Sequence, residues 1–130
     1  MDEFDSRCKG DSALLICGEV NIISTSRAGK DKVIDDYCFL NRLRKSNIKV
    51  VFGPAHTAFK RFEMPIKKKI ISKENRYFIS TWCKDKYTGR EPKNPWQIFY
   101  DGQDVSDQVK EIESPIAKRP DIRIGIITIK

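Results

Sequence analysis

Three residues of this sequence carry chemistry by their type and place. Cys17 closes the apolar run Ala13-Leu14-Leu15-Ile16-Cys17, Glu19 stands two positions further on, and His56, the sole histidine, follows Gly53-Pro54 after a second apolar run. A thiol attacks a carbonyl carbon only as the thiolate, and forming one at neutral pH needs a neighbouring base or positive charge to lower a pKa of about 8.5. The thioester then needs water, activated by a base, to release the acid. Alternation along an extended segment sets Cys17 and Glu19 on the same side, so Glu19 supports the site by a hydrogen bond or ion pair rather than acting as the base. His56 is a candidate partner in a Cys/His pair; the alternative is a loop histidine that hydrogen-bonds only its own turn. Cys17 has a plain alternative too, that of a small buried hydrophobe within a strand.

The segments around these residues decide whether they meet. The run 13–17, bounded by Asp11-Ser12 and Gly18, is continuously apolar, as expected of a central strand buried on both faces. Residues 30–45 place Val33, Tyr37, Leu40 and Leu43 at steps of three and four, which predicts a helix with one buried stripe. Residues 48–52 are short and β-branched and stop at Gly53-Pro54, a second strand. Strand, helix and strand make a βαβ unit with parallel strands, whose active groups lie just beyond the carboxyl ends, where Cys17 and residues 54–57 fall. A second amphipathic stretch carries Phe59, Phe62, Ile66 and Ile70, with Pro65 starting or kinking its helix. Strands follow at 77–82 and 96–100, the latter running into the turn signal Asp101-Gly102, and a last strand spans 122–129. Residues 1–12 read as a flexible lead-in and 13–130 as a single α/β domain.

Composition narrows the function classes. At 130 residues, 39% hydrophobic and 33% charged, the chain suits one globular domain. It has no apolar run of about 18 residues, and its polar, acidic start is unlike a secretory signal, so no membrane partner and a cytoplasmic location are expected. Four cysteines without CxxC spacing and one histidine fit a reducing compartment and give no metal site or cofactor. Cys38 reads as core on the apolar side of its helix, while Cys8 and Cys83 fall in polar surroundings. The net charge of +7 admits a nucleic-acid-binding accessory module using Lys60, Arg61, Lys67, Lys68 and Lys69. The other reading of that cluster is the solvated face of an amphipathic helix. A nuclease would draw on Glu19, Asp35, Asp36 or Glu63, but no metal-binding spacing singles these out.

In order, the pieces resemble the C-terminal half of the nitrilase superfamily of carbon–nitrogen hydrolases. The pattern of a strand ending in Cys-x-Glu is Leu15-Ile16-Cys17-Gly18-Glu19, and the following strand and turn are Phe52-Gly53-Pro54-Ala55-His56-Thr57. Arg76-Tyr77-Phe78-Ile79-Ser80-Thr81-Trp82, Ile98-Phe99-Tyr100-Asp101-Gly102 and the segment 121–127 occupy the places of later strands. The resemblance implies half of an α-β-β-α sandwich, Cys17 as nucleophile, and Pro54, Ala55, Thr57 and Trp82 near a pocket for a linear amide or nitrile. The family's general-base Glu and its Lys belong to segments upstream of the nucleophile strand, and nothing here occupies those places. The implied protein is a partial or degenerate hydrolase, with little activity alone, completed by a homo-oligomer or a second chain.

Overall fold

The computed structural model describes residues 2–16, 19–25, 33–58, 63–85, 88–90, 94–112 and 123–130. The chain runs through α1 (Asp2–Ser6), β1 (Cys8–Lys9), β2 (Ser12–Leu14), a 3-10 turn (Glu19–Ile22), β3 (Ser24–Thr25), β4 (Val33–Ile34), α2 (Phe39–Lys45) and β5 (Val50–Phe52). It continues with β6 (Ala55–Ala58), α3 (Glu63–Ile71), β7 (Tyr77–Asp85), β8 (Trp96–Tyr100), β9 (Gln103–Asp104), a 3-10 turn (Ser106–Gln108), β10 (Lys110–Ile112) and β11 (Ile124–Ile126). The fold is mixed α/β, mainly sheet with few helices.

The principal sheet has the order β1-β2-β5-β7-β8-β9, with β6 pairing the second half of β7. β2, β5 and β7 are parallel, so the expected βαβ unit is present and α3 makes a second one. β8 returns antiparallel, Tyr77 facing Tyr100 and Thr81 facing Trp96. The two-residue turn Asp101-Gly102 closes β8 onto β9 with both residues at positive φ, 45° and 79°, as a primed hairpin turn requires. The Asp101 carboxylate accepts the Glu74 and Asn75 N–H groups, and Ser72 Oγ accepts the Gly102 N–H, so the turn docks on the end of α3.

Strand alternation sorts the sheet into two unlike faces. Ala13, Leu15, Val51, Phe78 and Phe99 point to one side and pack with Phe39 and Leu43 of α2 and Ile71 of α3 in the main core. On the other side Val50, Tyr77 and Ile98 form a smaller cluster, with Tyr77 stacked on Tyr100 at 4.4 Å. That second cluster does not extend to the front of the sheet: Leu14 and Phe52, register partners on β2 and β5, are each 41% exposed. The expectation that the first strand is buried on both faces is therefore corrected. One face is packed by helices, and on the other Leu14 and Ile16 meet solvent.

Other boundaries moved for local reasons. The segment read as a lead-in contributes α1 and β1, because its aromatic residue Phe4 is buried edge-on against Phe39 at 5.2 Å and Arg42 binds both oxygens of Asp5. The helix expected over 30–45 begins only at Phe39. Asp35 accepts the N–H groups of Phe39 and Leu40, satisfying donors that a helix start leaves free, and Val33–Ile34 pair instead with β3. Cys38 thereby becomes an exposed residue in left-handed conformation just before α2, not core. The last strand shortens to Ile124–Ile126, paired antiparallel with β10.

Candidate functional site at the carboxyl ends of the parallel strands

Cys17 lies outside the described residues, but the two residues that flank it in the described chain are linked. Ile16 donates its N–H to Glu19 Oε2 at 2.6 Å, and Glu19 donates its own N–H to the Ile16 carbonyl at 2.9 Å. A Glu reaching back to the backbone at a helix start is one half of a capping box, and it fixes where the chain leaves β2. Glu19 Oε1 also pairs with Arg7 at 2.7 Å. With both oxygens engaged, Glu19 holds structure at this corner and is not free to take a proton from substrate.

Neighbouring strands bring several of the expected residues together. β6 runs parallel to the end of β7 with Ala55 opposite Trp82, so two residues implied for a pocket are register partners. Pro54 is exposed and joins β5 to β6. His56 and Thr57 fall on β6, and their side chains lie outside the described residues, as do Lys60 and Arg61. Gly53 stands at the centre of this corner. A Cβ there would meet Phe78 Cζ at 2.5 Å, so only glycine lets the β5 backbone pass over that ring.

Lys68 is the residue whose role differs most from expectation. The sequence groups Lys67 and Lys68 with Lys69 on a solvated, basic face, yet they are only 3% and 6% exposed. The inward face of α3 follows the steps Met64, Lys67, Lys68, Ile71 and Ser72, so the two lysines are buried beside the apolar contacts that Met64 and Ile71 make with the core. Lys67 donates to Asn21 Oδ1 at 2.9 Å, tying α3 to the 3-10 turn that starts at Glu19. Lys68 runs over the sheet to its carboxyl end, donating to Gln97 Oε1 and Ser80 Oγ, with its ammonium 5.5 Å from the Trp82 ring centre and 5.9 Å from that of Phe78. Ser80 in turn donates to the Gly53 carbonyl at 2.8 Å.

No carboxylate among the described residues comes within ion-pair distance of Lys68. Burial lowers its pKa to about 8, against a smaller upward pull from Asp104. A desolvated cation projects its field further than a solvated one, because the surrounding dielectric is low. The corner therefore combines an aromatic ring, a hydroxyl, a carboxamide and a positive charge at the ends of parallel strands. It can favour a developing negative charge or an ionised thiol. A helical reading that weighed the i, i+3, i+4 neighbours of Met64 and Ile71 would have flagged Lys67 and Lys68, but the apolar row Ile66 and Ile70 gave a competing face.

The same burial removes two of five residues from the nucleic-acid alternative. Of Lys67, Lys68 and Lys69, only Lys69 is exposed. Among the described residues, no helix is long and apolar enough to cross a membrane. Compared with protein-family models, curated proteins and solved structures, the chain matches none.

Proposed function

We propose that this chain is the nucleophile-bearing half of a nitrilase-like carbon–nitrogen hydrolase fold, with Cys17 at the nucleophile position and little hydrolysis of amides or nitriles on its own. The observation that carries the reading is the sheet: parallel β2, β5 and β7 followed by antiparallel β8, packed by helices on one face and leaving Leu14 and Phe52 bare on the other. Half of a four-layer sandwich has one such helix-covered face and one face that needs a second sheet. A homo-oligomer or a complementing chain supplies that sheet, together with the base that Glu19, bound to Arg7 and Ile16, does not provide. Lys68 contributes the positive charge that favours a thiolate.

The test is the pH dependence of alkylation at each cysteine, resolved by peptide mass spectrometry between about pH 5 and 9. Cys38, which is exposed, serves as the unhindered reference, and Cys8, whose thiol is pushed up by burial and by Asp5, marks the slow limit. Cys17 is expected to react faster than Cys38 well below pH 8. Reaction of Cys17 at or below the rate of Cys8 throughout the range would defeat the nucleophile assignment.

A further inference from the structure

At the opposite end of the helix layer, α2, α3 and β4 enclose a groove of about 550 Å³. This is within the range of small-molecule sites, which are mostly apolar with a few convergent polar groups. Its apolar wall is Val33, Leu40, Ile66 and Ile70, all only partly buried although they are the helix-period residues of their segments. Ile66 and Ile70 form the row that the sequence assigns to the core; Ile70 packs against the core beside Met64 and Ile71, and both residues of the row line the groove.

The polar groups of the groove are four cations, Arg44, Lys69, Lys73 and Arg76, against one carboxylate, Glu74. That carboxylate is already engaged, 2.7 Å from Arg44 and 4.0 Å from Arg76. The last turn of a helix normally repels anions through its free carbonyls. Here the buried Arg76 guanidinium occupies those of Ile71 and Lys73, each at 3.1 Å, and also binds Leu43 and Ile48. Lys69 and Lys73, four residues apart, are exposed, and their ammonium groups have no hydrogen-bond or ion-pair partner among the described residues. Gly102 lies beneath the Lys73 stem and lines the floor of the groove, where a Cβ would make only ordinary contact at 3.7 Å.

We infer that this groove binds a small amphiphilic anion, a phosphate or carboxylate head carried on a short apolar body, with the head held by Lys69 and Lys73 and the body against Ile66 and Ile70. The site is separate from the corner at Lys68 and does not depend on the hydrolase reading. A nucleic-acid backbone would need a stripe of cations; the charge here converges on a cavity with an aliphatic wall.

The experiment is a titration of the full chain, followed by amide chemical shifts and calorimetry, with n-hexyl phosphate as probe and inorganic phosphate and n-hexanol as controls. Hexyl phosphate is expected to bind at least about tenfold more tightly than either control, with shifts at Lys69, Ile70 and Gly102. Lys69→Gln with Lys73→Gln, both surface changes, is expected to weaken binding about tenfold while leaving the melting temperature in place, and added salt is expected to do the same to the wild type. Equal binding of hexanol, retained affinity in the double variant, or shifts centred on Leu14 and Phe52 in place of the groove would overturn the proposal.

Discussion

The two ends of β7 each bury a cation, and they do so in opposite ways. Arg76, at the amino end, gives its guanidinium to four backbone carbonyls, from Leu43, Ile48, Ile71 and Lys73, and so joins α2, α3 and the entry to β5. Lys68, at the carboxyl end, is held by two side-chain acceptors and two rings. Burial lowers the pKa of both, yet arginine keeps its proton whereas Lys68 falls to about 8. A planar fork that satisfies main-chain carbonyls is a fixed structural joint; a desolvated point charge held by two neutral side-chain acceptors can change its protonation near neutral pH. The difference separates an end that joins the helices to the sheet from an end that carries a titratable charge.

The largest effect should come from breaking the joint. Arg76→Met is expected to cost about 3 kcal/mol or more in chemical denaturation, because buried carbonyls lose their donors while the helix ends stay packed. A loss below about 1 kcal/mol would mean that water replaces the guanidinium and that the two cations are alike. Gly53→Ala at the other end should cost about 1–3 kcal/mol, as the Phe78 ring must shift away from the new Cβ, and it should disturb the Ser80 and Lys68 contacts with it. Wild-type-like stability and unchanged side-chain signals of Lys68 would show that the corner is looser than its packing implies.

Lys68→Met should have the smallest effect at pH 7, within about 1–2 kcal/mol in either direction, because it removes a desolvated charge along with its hydrogen bonds. Its signature lies in pH. The folded-state pKa is near 8 and the unfolded one near about 10.4, so the unfolded chain binds more protons between those values and wild-type stability rises with pH there. Below pH 8 the cost of the buried charge is present in full. Relative to Lys68→Met, the wild type should gain on the order of 1 kcal/mol between pH 8 and 9, and Cys17 alkylation in the variant should move to higher pH. A flat difference across that window would remove the titrating role from this end of the strand.

Much of the sheet was legible locally. The strands at β5, β7 and β8 follow from short β-branched and aromatic runs, and Asp101-Gly102 marks its hairpin because few residue pairs tolerate two positive φ angles. The βαβ order was legible for the same reason that parallel strands need a crossover. Helix limits were less so: Asp35 decides where α2 begins by capping two N–H groups, and a periodic pattern through Val33 and Tyr37 hides that.

The sequence by itself determined the parallel strand–helix–strand unit of β2, α2 and β5, the strands β7 and β8 and the hairpin at Asp101-Gly102. Only the tertiary structure decided which way α3 turns its faces. A lysine reads as a surface residue in one dimension, but its four-carbon stem fills an apolar layer once a helix is pressed on a sheet, and its charge then takes the acceptors that the neighbouring strands present. Whether a charged residue is solvated or buried depends on contacts made across 12 or 29 positions of chain, as between Lys68 and Ser80 or Gln97, and no local pattern encodes them.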